Sequence, residues 1–291
     1  MAQTVRVSVR PLAPALVVSL AVAGAFGNAA VAAPPPSWRA VAPGVDYGEF
    51  ADPSAPADVA RIVRVDPRRA TLRAVMATAH DRRPRSAAAW CDAEHLVAAI
   101  NLGMYLEDHL TNVGYARAGA HVNQPRMLGQ YQSALVFGPK KPKLPVAALL
   151  DLDAPHAREQ LADYDTVVQN LRLIRAPGVS VWSQQARRWS ESAVAADKAG
   201  HLYFVFLRAP RTMADFNRLL LALPLGIVAA MHVEGGPEAS LSVRGALHID
   251  AGGSYETGFN ENDGERAQWE IPNVLGVVAG APAVDGAPHA R

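Results

Sequence analysis

The sequence predicts one α+β domain with a mixed, mostly antiparallel β-sheet core and a few packed helices. Three observations carry this. Short apolar or alternating segments recur along most of the chain, helical periodicity is confined to two stretches, and strands and helices do not alternate regularly. No internal repeat is visible, and about 260 residues suffice for a single buried core.

In chain order, residues 1–32 read as a signal peptide. Arg6 and Arg10 precede an apolar run from Leu12 to Phe26, and small residues lead to a cut after Ala32, ahead of Pro34. The apolar run is too short for a stable membrane anchor, so the expectation is a periplasmic or secreted protein. Residues 33–58, rich in Pro, Ala and Gly, read as an irregular lead-in to a domain spanning 59–279. Residues 280–291 read as a disordered tail.

Within the domain, Ala60–Val65 and Ala70–Ala77 flank Asp66-Pro67-Arg68-Arg69, which predicts a hairpin. Ser86–His95 reads as a short helix and Leu96–Ile100 as a buried strand. Further strands are expected at 112–116, 133–137, 146–152, 166–174, 192–196 and 201–207, the last two joined by a turn at Asp197–Gly200. Thr212 caps the clearest helix, with Asp215 in capping-box position and Pro224 as its stop. Ile227–Val233 is an apolar strand that runs into Glu234-Gly235-Gly236-Pro237-Glu238.

Composition narrows the function. The formal net charge is +1 for the whole chain, which gives no electrostatic case for nucleic acid. Cys91 is the single cysteine, so no internal disulfide forms, and its Ala-Ala-Ala-Trp setting reads as a buried helix face. Nine histidines show no zinc spacing, and no P-loop, GxSxG or dinucleotide fingerprint is present. Asp151-Leu152-Asp153 and Asn260-Glu261-Asn262-Asp263 are candidate divalent-cation or solvated loop acids. No cofactor is indicated, and the oligomeric state is not specified.

Three places stand out for chemistry. Asn101 and Gly103 end a buried strand, where ligand contacts are common; a simple turn is the alternative. Glu191 enters a strand beside aromatic and basic neighbours, either as a site acid or as an edge charge. In the Glu234–Ser240 loop, Gly235 and Gly236 can bring backbone N–H groups close to an anion, with Glu234 and Glu238 as candidate cleft acids or as solvated turn residues. Asn101 and this loop are expected to line one cleft.

The order of Val97–Tyr105, Val113-Gly114-Tyr115, His121-Val122-Asn123, Gln169–Ile174, Trp189–Ala193 and the Gly-Gly loop resembles the phosphodiester glycosidase domain over roughly residues 60–278. Two departures stand out. Glu234 replaces the usual Asp of Asp-Gly-Gly, and Glu191 stands where the uncovering-enzyme-like branch more often has a basic residue. Both point to an exported bacterial branch with an altered substrate. The resemblance implies hydrolysis of a glycosidic linkage, with a sugar-1-phosphodiester of an envelope or extracellular glycan as one candidate and a carbohydrate or sugar-phosphate as partner.

On that basis Glu234 is expected as nucleophile or base and Glu191 as its partner, at the wider carboxyl separation, with Pro237 directing Glu238 away. Asn101, His121, Asn123 and Gln169 would hold hydroxyls or phosphate oxygens. Arg172 or Arg188, with Gly235 and Gly236, would supply an anion site, and Gly103, Glu238 and Ser240 would complete the lining. The competing reading is a non-catalytic glycan-binding protein, with Tyr105, Tyr131 and Trp182 exposed along a groove.

Overall fold

The computed structural model describes residues 37–262, 264 and 266–280. The signal-peptide and tail assignments lie outside them, as does Asp263. The described residues build three sheets, and every strand pairing is antiparallel. The β-rich, three-sheet outcome refines the expected mixed sheet.

The large sheet has eight strands in the order β1 (Arg39–Ala42), β2 (Val45–Asp52), β3 (Ala55–Val65), β14 (Leu202–Arg211), β13 (Trp189–Asp197), β15 (Ile227–Gly235), β11 (Arg172–Arg175) and β12 (Val179–Ser180). A second sheet runs β7 (His121–Gln124), β6 (Ala116–Ala118), β10 (Tyr164–Asn170), β8 (Ser133–Pro139), β9 (Ala147–Asp151). The third runs β17 (Ile249–Gly252), β16 (Ser240–Val243), β5 (Ala98–Asn101), β18 (Asn273–Val278), β4 (Thr71–Met76). Helices α1 (Ala87–Glu94), α2 (Ala157–Gln160) and α3 (Met213–Ala222) complete the set.

Side-chain alternation in the large sheet explains the core. Phe204, Phe206, Met231 and Val233 face one side and pack with Ile100, Leu241 and Leu275 of the third sheet and Leu135 and Val168 of the second. Val205, Leu207, Ala193 and Ala195 face the other side, beneath Phe216, Leu219 and Leu220 of α3. With both faces covered, β14 reads as a continuous apolar run rather than an alternating one. Thr212 caps α3, its hydroxyl accepting from Asp215 N–H at 3.1 Å and donating to the Asp215 carboxylate at 2.8 Å.

Three local expectations need correction. The supposed lead-in contributes β1, β2 and the start of β3, and Tyr47, opposite Val63, is fully buried. Asp66–Arg69 does form a turn, with Asp66 C=O accepting from Arg69 and Ala70 N–H. It joins β3 to β4 in different sheets, so no hairpin results. Residues 166–174 split between β10 and β11, again in different sheets. No helix among the described residues is long and apolar enough to cross a membrane. Cys91 is buried and its thiol is pushed up to about 12 by desolvation, as fits a packing role.

Candidate active site

The end of β15 and the loop after it open onto a cavity of about 390 Å³. Its polar lining is His232, Glu234, Glu238, Glu256 and Arg187, and its walls include Tyr105, Trp182, Trp189, Met104 and Met213. The strand geometry puts the acids there. The β13–β15 register pairs Ser192 with Glu234 and Ala193 with His232, so Val233 is an extra residue on β15. Such a bulge re-aims the side chains around it. Beyond it, Gly235 lies against Trp189, whose Cδ1 is 2.6 Å from where a Cβ would sit. Gly236 adopts φ +69°, a conformation that favours glycine.

Glu238 therefore turns back toward Glu234, contrary to the expectation that Pro237 would direct it away. Its Oε2 lies 3.3 Å, and Glu256 Oε2 lies 2.9 Å, from the point a Cβ on Gly236 would occupy. Glu256 arrives from a distant loop, anchored by a backbone bridge to Trp189 and an ion pair with Arg187 at 2.9 Å.

The electrostatics follow from burial and crowding. Glu234 is 8% exposed, and its carboxyl is held well above the usual range, first by burial and then by Glu238. Glu238 is raised to about 7 by burial, with Glu256 adding to it. Burial and the charges of Glu238 and Glu234 push the Tyr105 phenol up, and burial with Glu234 raises Tyr131 to about 12.

Glu191 is 0% exposed and does not touch the cavity. It is correctly placed next to Glu234 in the sheet, but it serves His232, whose Nδ1 lies 3.1 Å from Glu191 Oε2. Burial favours the neutral form of both groups, shifting Glu191 well upward and His232 down to about 3. Glu191 Oε1 and Trp189 Nε1 are both buried without a hydrogen-bond partner, although the indole is near enough to favour the Glu191 carboxylate. The expected pairing of Glu191 with Glu234 across a substrate is thus corrected: Glu191 is a buried partner of His232.

The predicted amides are fastenings. Asn101 Nδ2 donates to Glu238 C=O at 2.9 Å, and its Oδ1 accepts from Ser240 N–H at 2.8 Å and Ser192 Oγ at 3.2 Å. Asn101 thus pins the Gly-Gly loop from behind, adjacent to the cleft without lining it, and Ser240 is fully buried beside it. Gln169 donates to Leu128 and Tyr131 C=O and accepts from Leu128 N–H, fixing the loop that carries Tyr131. Asn123 donates to Thr78 Oγ1 and Leu110 C=O and accepts from Asn112 N–H, while His121 Nε2 contacts Thr78 Oγ1 at 2.8 Å. Gly103 packs on Asn112 and Asn170.

The expected anion site is also corrected. Arg172 is neutralised by Asp151 and Asp153, which equally removes that acidic pair as a free cation site. Arg188 lines a separate hollow with Asp52, Arg211 and Asp215. Its neighbour Arg187 is the arginine that reaches the cavity.

A family model described as phosphodiester glycosidase matches residues 94–278. The chain belongs to the phosphodiester glycosidase family. The match ends where expected but begins after β4, so the first four strands lie outside it. The fold is similar to that of the zebrafish N-acetylglucosamine-1-phosphodiester alpha-N-acetylglucosaminidase catalytic domain auto-inhibited by pro-peptide: 14% identity, 85% of each chain covered, TM-score 0.57. It is also similar to a hypothetical protein from Synechocystis: 14% identity, 84% of this chain and 64% of the other, TM-score 0.55. No curated protein matches the chain.

Proposed function

We propose that this phosphodiester glycosidase family member is an exported hydrolase that cleaves a glycosidic bond in the Glu234 cavity. The carrying observation is that Glu234 and Glu238, two carboxyls with different hold on their protons, face one aromatic-walled cavity. Pairs separated in this way divide acid and base roles. Glu234, whose carboxyl burial holds well above the usual range, delivers its proton to the leaving oxygen. Glu238 acts as the carboxylate opposite, stabilising the oxocarbenium-like transition state or activating water. Neutral His232, braced by Glu191, offers its Nε2 side to a sugar hydroxyl.

The lining favours a leaving group that needs a proton over one that needs an anion site. Arg187 is the arginine at the cavity, and Glu256 already engages it. A sugar-1-phosphodiester is the alternative substrate; its leaving group is a phosphate monoester, with Arg187 as its contact. The binding-protein reading draws support from Tyr105 and Trp182, which line this same cavity; convergence of the acids ranks hydrolysis ahead. A screen of purified protein against alkyl glycosides, p-nitrophenyl glycosides and sugar-1-phosphodiesters tests the reading. Turnover that is lost in Glu238→Gln supports it, and binding without turnover of any class refutes it. For export, N-terminal sequencing of protein from the native host should return a chain starting near Ala33; a start at Met1 or Ala2 refutes it.

A further inference from the structure

Carboxyl groups are seldom crowded without a compensating cation, because each raises the cost of ionising the next. In this cavity Glu238 Oε2 and Glu256 Oε2 lie within 3.3 Å of one point above Gly236. The arginine nearby engages Glu256 through the other oxygen, Oε1. A second, independent feature is Glu234. This side chain is more than nine-tenths buried; Oε1 accepts from Gly235 N–H at 3.0 Å, and Oε2 has no hydrogen-bond partner among the described residues and faces the cavity. The walls include Tyr105, Trp182 and Trp189, and Arg187 already stands 5.9 Å from the Trp189 ring centroid, so Tyr105 and Trp182 are the aromatic groups left for a ligand. Aromatic walls combined with carboxylates suit an organic cation, which gains cation–π attraction as it sheds water.

We propose that the cavity binds a sugar carrying a free ammonium group, with the cation seated between Glu238 and Glu256. This deepens the hydrolase reading by naming the substrate class, and it rests on the same site. It also gives the site a trigger. A cation beside Glu238 draws its proton off, so the carboxylate needed for catalysis forms when an amino sugar arrives. Glu234, deeper and beside Gly235, keeps its proton for the leaving oxygen.

The test is calorimetric and needs no turnover. Intact protein at pH 6.5 is titrated with methyl glucosaminide, methyl N-acetylglucosaminide and methyl glucoside, in two buffers of different ionisation enthalpy. The amine should bind about tenfold more tightly than either neutral sugar, as one partly desolvated ion pair gives, and should release protons from the protein. Glu256→Gln should remove the preference of the amine over the neutral sugars, read as the ratio of the two affinities. If that variant does not fold, rising salt should weaken the amine selectively in the wild type. Neutral sugars binding as tightly as the amine, no proton release, or a preference that survives both Glu256→Gln and salt would overturn the proposal, as would displacement of the amine preference by a divalent cation alone. Amine-selective binding without hydrolysis of any glycoside would leave this inference standing and remove the hydrolase reading.

Discussion

Two groups of buried and half-buried polar residues behave oppositely. Asn101, Gln169 and Asn123 spend their amide groups on backbone and hydroxyl partners. Across the Gly-Gly loop, buried Glu234 and His232 and half-buried Glu238 line an open cavity, with protonation displaced from the ordinary. Satisfied polar groups hold a shape; unsatisfied, titratable ones facing space are available for chemistry. Sequence alone did not separate Glu234 and Glu238 from the amides, since both sets were expected to line the site. The count of partners does.

The sharpest way to break this contrast is Glu238→Gln, which should cost about 10³-fold in kcat on every substrate class while the fold persists. A loss under tenfold would move Glu238 into the fastening group. Asn101→Ala should do the reverse. It strands Ser240 N–H and Glu238 C=O, and should lower stability by about 3 kcal/mol in urea denaturation, with activity falling only as the loop loosens. Full stability in that variant would mean that Asn101 does not hold the loop.

The third consequence concerns pH. Glu238 sits at about 7 in the fold against 4.5 ordinarily. Below pH 4.5 it is protonated folded and unfolded alike, so its folded-state preference for the proton is fully present. Between 4.5 and 7 only the unfolded state releases the proton, and stability falls as pH rises. Glu238→Gln escapes this and should exceed the wild type by about 2 kcal/mol at pH 8, after allowance for solvent screening, and by nothing at pH 4. Equal urea midpoints at pH 8 would contradict the raised value. The smallest expected effect separates adjacent arginines: Arg188→Gln should leave kcat/KM within about twofold, and Arg187→Gln should raise KM several-fold. The opposite ranking would put the site in the wrong hollow.

Much of this was legible in the sequence. The Thr212 cap, the short helix after Ser86 and the apolar strands β5, β13, β14 and β15 announced themselves, because each depends on local pattern. Sheet membership did not. The turn at Asp66–Arg69 reverses the chain wherever its flanks pair, and nothing local says that β3 and β4 join different sheets. The loop carrying Glu234 and Glu238 was legible as a cleft-forming loop and does line the cavity, whereas Glu191 and the amides lie outside its lining, on protein partners. His232 had a signal: it stands two residues before Glu234 on one strand, where period-two alternation puts both on one face. It was absorbed into an apolar run. Arg187 and Glu256 had none, being loop residues brought together by a bridge between segments 69 residues apart in their hydrogen bond.

The most direct test of the account is the leaving-group dependence of Glu234→Gln. If Glu234 supplies the proton, kcat for an alkyl glycoside should fall about 10³-fold, while a p-nitrophenyl glycoside or a sugar-1-phosphodiester, whose leaving groups need little protonation, should lose less than about tenfold. An equal loss on all three would contradict the assignment of Glu234 as the acid at the centre of this site.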